Sequence, residues 1–202
     1  MRTDSYKTVA KISNEILFKD RKSKFYGYVF PITSEEEVKP IIEGLKKKHH
    51  TANHVCYAWQ LGTDTISYRT NDDGEPNNSA GMPIYGQIKA FDLTNVLVAV
   101  VRIFGGTKLG VGGLIQAYKT SAQLAIEATA VIEKLIEVHF KVIFDYPEMD
   151  KVMRIIKQLN IAIVSQKLET NCQLHISIRR SESEMVQKRI EEIHKVSIAK
   201  LD

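Results

Sequence analysis

The sequence predicts an α+β protein built as two units, with the division near residues 133–136. Three observations carry this. Asn95–Phe104 (NVLVAVVRIF) is a nearly unbroken apolar run of strand length, the pattern of a strand covered on both faces. A glycine-rich segment, Gly105–Gly113 (GGTKLGVGG), links it to a stretch rich in Ala, Leu and Gln that reads as a helix from Leu114 to about Ile132. Beyond that point the chain reads strand, helix, strand, strand, helix and a last short strand. This βαββα(β) order is the ferredoxin-like, split-βαβ arrangement. The expected units are residues 1–134 and 135–202.

Each element has its own local signal. Lys24–Phe30 (KFYGYVF) is aromatic and β-branched and predicts a strand. Ser34 with Glu35–Glu37 behind it marks a helix start, and Val38, Ile41, Ile42 and Leu45 give that helix one apolar face to about Lys48. Pro40 moves the expected start of the regular helix toward itself. His54–Leu61 alternates as a strand, with Ile66–Arg69 as its hairpin partner. Asn71–Gly81 (NDDGEPNNSAG) is dense in turn formers and predicts an ordered loop, followed by a short helix to about Ala90. In the second unit the expected elements are strands at Leu135–Phe144, Ile161–Leu168, Asn171–Ile178 and Val196–Leu201, with helices at Pro147–Leu159 and Ser183–Lys195.

Composition narrows the function classes. The chain is 44% hydrophobic and 26% charged, as in an ordinary globular protein. Its longest apolar run is of strand length, well short of the roughly 20 residues that span a bilayer. The N-terminal segment has no apolar h-region, and two cysteines are too few for a disulfide framework, so a reducing cytoplasm is expected. With 28 basic and 24 acidic residues, the net charge of +4 permits a nucleic-acid partner without demanding one. His49 and His50, in a basic cluster after Lys46–Lys48, are expected to be exposed.

The chemistry is concentrated between Asn71 and Tyr118. Glycines at Gly105, Gly106, Gly110, Gly112 and Gly113 allow close backbone approach, and the helix behind them offers free N–H groups and a positive dipole end. Arg102 and Lys108 add cations, so these are the parts of an anion cradle, or else of a tight, closely packed strand-to-helix turn with no ligand. The segment is neither a P-loop, since no GK[ST] occurs, nor a dinucleotide fingerprint, since Ile115 stands at the third glycine position. Asp72, Asp73 and Glu75 gather three carboxylates in four residues, suited to pairing with Arg or Lys, to bracing the loop, or to a hard cation or a base. His54 and Cys56 share a strand face. Lys22 and Lys24 belong to a second basic cluster, read as a solvated surface or else as phosphate contacts.

Ala52-Asn53-His54, Asp72-Asp73-Gly74-Glu75-Pro76, Ser79-Ala80-Gly81-x-Pro83 and the run from Val100 through Arg102, Gly105-Gly106, Gly110, Gly112-Gly113 and Tyr118 resemble the IMPACT family, specifically bacterial YigZ-type members. The resemblance implies an N-terminal α/β domain like the second domain of ribosomal protein S5. It also implies a C-terminal domain similar to the last domain of elongation factor G. Eukaryotic members regulate translation by binding a protein partner. Ile103 stands where tyrosine is common in the family motif.

The expected function is therefore a non-enzymatic binding protein linked to translation. Its expected partners are RNA, the ribosome or a translation-associated protein. The candidate contacts are Lys22, Lys24, His54, Asp72, Asp73, Glu75, Arg102, Gly105, Gly106, Lys108, Gly110, Gly112, Gly113 and Tyr118. No catalytic residue, metal site or cofactor is expected. The rival readings are a phosphotransferase or hydrolase using the same loop and carboxylates, and a pure protein-docking module.

Overall fold

The structure is a computed structural model that describes residues 4–201. These residues form two compact units, one spanning Tyr6–Lys134 and the other the residues from Leu135 on together with Asp4 and Ser5. A separate two-stranded sheet pairs β1 (Ser5–Val9) with β7 (Val131–Leu135).

The first unit is organised by a five-stranded antiparallel sheet ordered β2 (Ile16–Asp20), β3 (Ser23–Pro31), β6 (Val96–Ile103), β4 (His54–Leu61), β5 (Ser67–Asn71). The apolar run singled out in the sequence is the central strand, β6. Its side chains alternate between two cores, as a period of two requires. Val96, Val98 and Val100 pack with α2 (Gly81–Ala90) and α3 (Gly110–Glu127), whereas Leu97, Ala99 and Val101 pack with α1 (Val38–Lys48). Burying each such side chain is worth about 1.5–3 kcal/mol. The same parity sends Cys56 and Ala58 of β4 toward α2 and α3, and Val55 and Trp59 toward α1.

The depth of α3 on the sheet is set at Gly27. A Cβ added there would lie 2.7 Å from the Ser121 carbonyl oxygen and 2.9 Å from Ala125 Cβ. The helix therefore rests almost on the β3 backbone, which lets Tyr118 reach the sheet and become fully buried against Phe25, their rings edge-to-face at 5.3 Å.

The second unit is a four-stranded sheet ordered β11 (Val196–Lys200), β8 (Glu137–Asp145), β10 (Asn171–Arg179), β9 (Ala162–Lys167), with every pair antiparallel. The later strand β10 lies between β8 and β9, which is the split-βαβ topology. Helices α4 (Met149–Gln158) and α5 (Ser183–Glu191) supply Val152, Ile156, Val186 and Ile190 to a core with Phe140, Val142, Leu174 and Ile176.

Several expectations need correction. The long helix starts at Gly110, not Leu114, so Gly110, Gly112 and Gly113 belong to its first turn and not to a loop. It ends at Glu127, and part of the segment expected to continue it is the strand β7. Strands β1 and β2 carried no separate sequence signal. Glu35–Glu37 form a single 3-10 turn, and the Glu37 carboxylate accepts N–H bonds from Thr33 and Ser34. The regular helix begins at Val38, with Pro40 in its first turn, where a missing N–H costs nothing.

His49, expected on the surface, has a side chain only 9% exposed. It packs against Tyr26 and Tyr28, with Nε2 2.5 Å from the Tyr28 hydroxyl oxygen. Burial holds its pKa below the ordinary histidine range. The Tyr28 hydroxyl donates to Glu15, and that bond, aided by Lys48, holds the Glu15 carboxyl below its usual value. A lowered folded-state pKa means that the unfolded chain binds the proton more tightly. The stability from His49 is thus complete above about pH 6.5 and falls as the pH drops, with the Glu15 contribution lost at lower pH.

Two outcomes follow. Gly27→Ala should destabilise the protein by about 1–3 kcal/mol, because a helix carbonyl has to move; the urea midpoint will show this. Between pH 7 and 5 the urea midpoint of the native protein should fall, and in His49→Gln the fall should be smaller.

Candidate recognition cleft

The register of the central sheet builds the site. Arg102, at the end of β6, is paired with His54 of β4 on one side and Phe25 of β3 on the other. Arg102 shares the sheet face that carries Val98 and Val100, so its guanidinium lies beneath α3 and is 7% exposed. Burying this charge is tolerable only with a partner. Glu75 supplies one: its Oε1 lies 2.6 Å from Arg102 Nη1 and accepts the Tyr118 hydroxyl at 2.7 Å. The guanidinium carbon also sits 5.6 Å from the Phe25 ring centroid and 5.4 Å from that of Phe104. Arg102 Nε is buried without a hydrogen-bond partner.

The Asn71–Gly81 loop is braced so that Glu75 can reach this place. Asp72 Oδ1 accepts the Ala80 and Gly81 N–H groups at the start of α2, and its Oδ2 accepts that of Asn78. Asp73 accepts the Val55 N–H through Oδ2 and pairs with Lys46 through Oδ1. His54 Nδ1 lies 2.8 Å from the Asp73 carbonyl oxygen. A carbonyl can only accept, so Nδ1 carries the proton, and in the neutral ring Nε2 is left as an acceptor. That Nε2 is 3.9 Å from Glu75 Oε1. The Cys56 thiol donates to the Asp72 carbonyl, and burial raises its pKa, so it stays protonated and is a poor nucleophile. Burial likewise raises that of Tyr118.

Above this floor opens a cleft of about 420 Å³. It is lined by His54, Glu75, Arg102 and Lys108, by Phe104 and by the first turn of α3. The carboxylate loop and the glycine segment thus share one cleft. They do so differently from the expectation that all the named residues form one binding surface. Glu75 and Arg102 neutralise one another, while Asp72 and Asp73 are engaged within the loop. Gly105 serves packing: a Cβ there would fall 2.0 Å from the Lys22 carbonyl carbon. Gly106 and Gly110 have positive φ, and Gly113 packs on Leu109. Lys22 lies at the β2–β3 hairpin turn against Gly105, and Lys24 lies, by strand parity, on the sheet face opposite to Arg102. Neither lines the cleft. Asn53, whose Oδ1 accepts the Phe104 N–H at 2.8 Å, and the apolar walls Phe104, Val111 and Leu114 were not identified as site residues from the sequence. Their role appears only once β4 and β6 are placed in register.

The Impact N-terminal domain family model matches residues 21–126 of this chain. The chain belongs to the IMPACT family. It resembles the bacterial, YigZ-type members. It is 29% identical to IMPACT family member YvyE of Bacillus subtilis over 89% of this chain and 82% of that protein. A crystal structure of a hypothetical protein, 21% identical, superposes with a TM-score of 0.74 over 99% of this chain and 98% of its own, and so shares the fold. The two-domain translational regulator Yih1 is 30% identical over 59% of this chain and 46% of its own, with a TM-score of 0.38.

In this IMPACT-family chain the floor of the cleft is a stability element. Glu75→Gln leaves the buried Arg102 charge without its counter-ion and should cost about 3–5 kcal/mol in urea unfolding. Tyr118→Phe, which removes one hydrogen bond to Glu75, should cost about 1–3 kcal/mol.

Proposed function

We propose that this chain is a non-enzymatic binding protein acting in translation, and that the cleft contacts RNA or a translation component. The observation that carries this reading is the cleft's composition. An uncapped helix N-terminus, a buried arginine, the exposed Lys108 and the exposed ring of Phe104 all border one opening. Anions are favoured at such a helix end. Lys22, Lys24 and Lys108 have no ion-pair partner among the described residues, so their charges are available to an anionic surface. The link to translation comes from the IMPACT family, in which Yih1 is a translational regulator.

The loop carboxylates an enzyme would use are committed elsewhere. Two of the three loop carboxylates hold backbone N–H groups, and the third is paired with Arg102 and Tyr118. A loop fixed in this way suits recognition, where a rigid surface reduces the entropy lost on binding.

Co-sedimentation with ribosomes and with ribosomal RNA tests the reading. Binding should weaken steeply with rising salt, and Lys22→Glu/Lys108→Glu should bind about tenfold or more weakly with a shallower salt dependence. Both lysines are exposed, so the variant should fold normally. Absence of association, or association unchanged in the double variant, would overturn the proposal.

A further inference from the structure

We infer that the cleft holds one nucleotide of an RNA strand, with its phosphate at the first turn of α3 beside Arg102 and Lys108 and its base against Phe104. This rests on the reading of the cleft as a binding surface in translation and names the chemistry of what it binds.

The phosphate end is argued from two features. Helix α3 has 18 residues, no side-chain cap and no acidic residue in its first turn, so its N-terminal N–H groups and dipole stay uncompensated. Arg102 lines the same cleft, and its Nε–H is a buried donor with no acceptor. Leaving such a donor unpaired costs about 1–3 kcal/mol, which a ligand oxygen would recover.

The rest of the cleft separates a nucleotide from a bare anion or an acidic peptide. Beside the cationic end stand Pro76, Phe104, Leu109, Val111 and Leu114. Phe104 is 41% exposed, and the Arg102 guanidinium lies near its ring. An exposed aromatic ring next to cations is a stacking platform for a base. His54 also lines the cleft, with Nδ1 held by the Asp73 carbonyl, so Nε2 is the ring nitrogen left for a ribose 2′-hydroxyl or a base edge. The 2′-hydroxyl is what separates RNA from DNA. The cavity volume suits one nucleotide and not a duplex.

The test uses the full chain and a fluorescent ten-nucleotide single-stranded RNA at low salt, read by anisotropy. RNA should bind more tightly than DNA of the same sequence. A nucleoside monophosphate should compete better than either the nucleoside or inorganic phosphate. Phe104→Ala should weaken RNA binding about tenfold. If ribosomes bind but the RNA oligonucleotide does not, or if it binds with Phe104→Ala unaffected, the nucleotide inference is wrong and the broader proposal stands on a different contact. If neither binds, both fail. Phosphate alone competing as well as the nucleoside monophosphate would also overturn the inference, because it removes the role of the base.

Discussion

The buried pairing of Glu75 with Arg102 is the constraint on which the rest of the first unit depends. It joins three segments distant in sequence: the carboxylate loop, the end of the central strand, and, through Tyr118, helix α3. Such a pair adds little net stability relative to an apolar replacement, because desolvation offsets the Coulomb attraction. Its effect is to make alternatives costly. With Glu75 displaced, the guanidinium would remain under α3 with no anion; with Tyr118 displaced, the carboxylate would lose a donor. The loop therefore has one low-energy position, and the hydrogen bonds of Asp72 and Asp73 extend that single solution to both of its ends.

Packing makes this pairing reachable. The parity of β6 puts Arg102 on the face covered by α3, and the absence of a side chain at Gly27 lets α3 settle deeply enough for Tyr118 to meet Glu75. Phe25 closes one side of the guanidinium, and Phe104 borders the cleft. A contact made at the sheet surface thus sets the geometry of the cleft floor. The walls are under weaker constraint, since Val111 and Phe104 keep much of their surface in solvent.

Much of the fold was legible because its signals are local. A strand buried on both faces writes a continuous apolar run, and β6 is that run. The alternation of β8 and β10 and the amphipathic face of α4 likewise report burial directly, so the α+β class could be read with the order of elements in the second unit. What escaped depended on partners. Glycine is a poor helix former, so the start of α3 at Gly110 was hidden by the residues that give it its open N-terminus. His49 sits in a run of cations that looks solvated, yet the rings of Tyr26 and Tyr28 cover it. The residue types of the cleft were visible; their directions were not. Nothing in the spacing of Asp72, Asp73 and Glu75 says that two turn inward to backbone N–H groups while the third crosses to Arg102. The same limit applies to Lys24, whose face is decided by the register of β3 on β6.

The glycine segment shows how a single motif can hold two kinds of residue. Gly105 is demanded by the Lys22 backbone, and Gly113 by Leu109. For these, a larger side chain would collide with the protein itself, and an unoccupied protein gains from the glycine. Gly112 differs, because a side chain there would collide with nothing and would favour the helix. A fold selected for stability alone has no use for glycine at that position. Gly112 does not line the cleft, whereas Gly110 and Val111 of the same turn do, beside the unpaired buried donor Arg102 Nε. The open helix N-terminus and the donor left without an acceptor therefore fall at the same end of one cleft. On the nucleotide inference, both are met by one phosphate close to the α3 backbone.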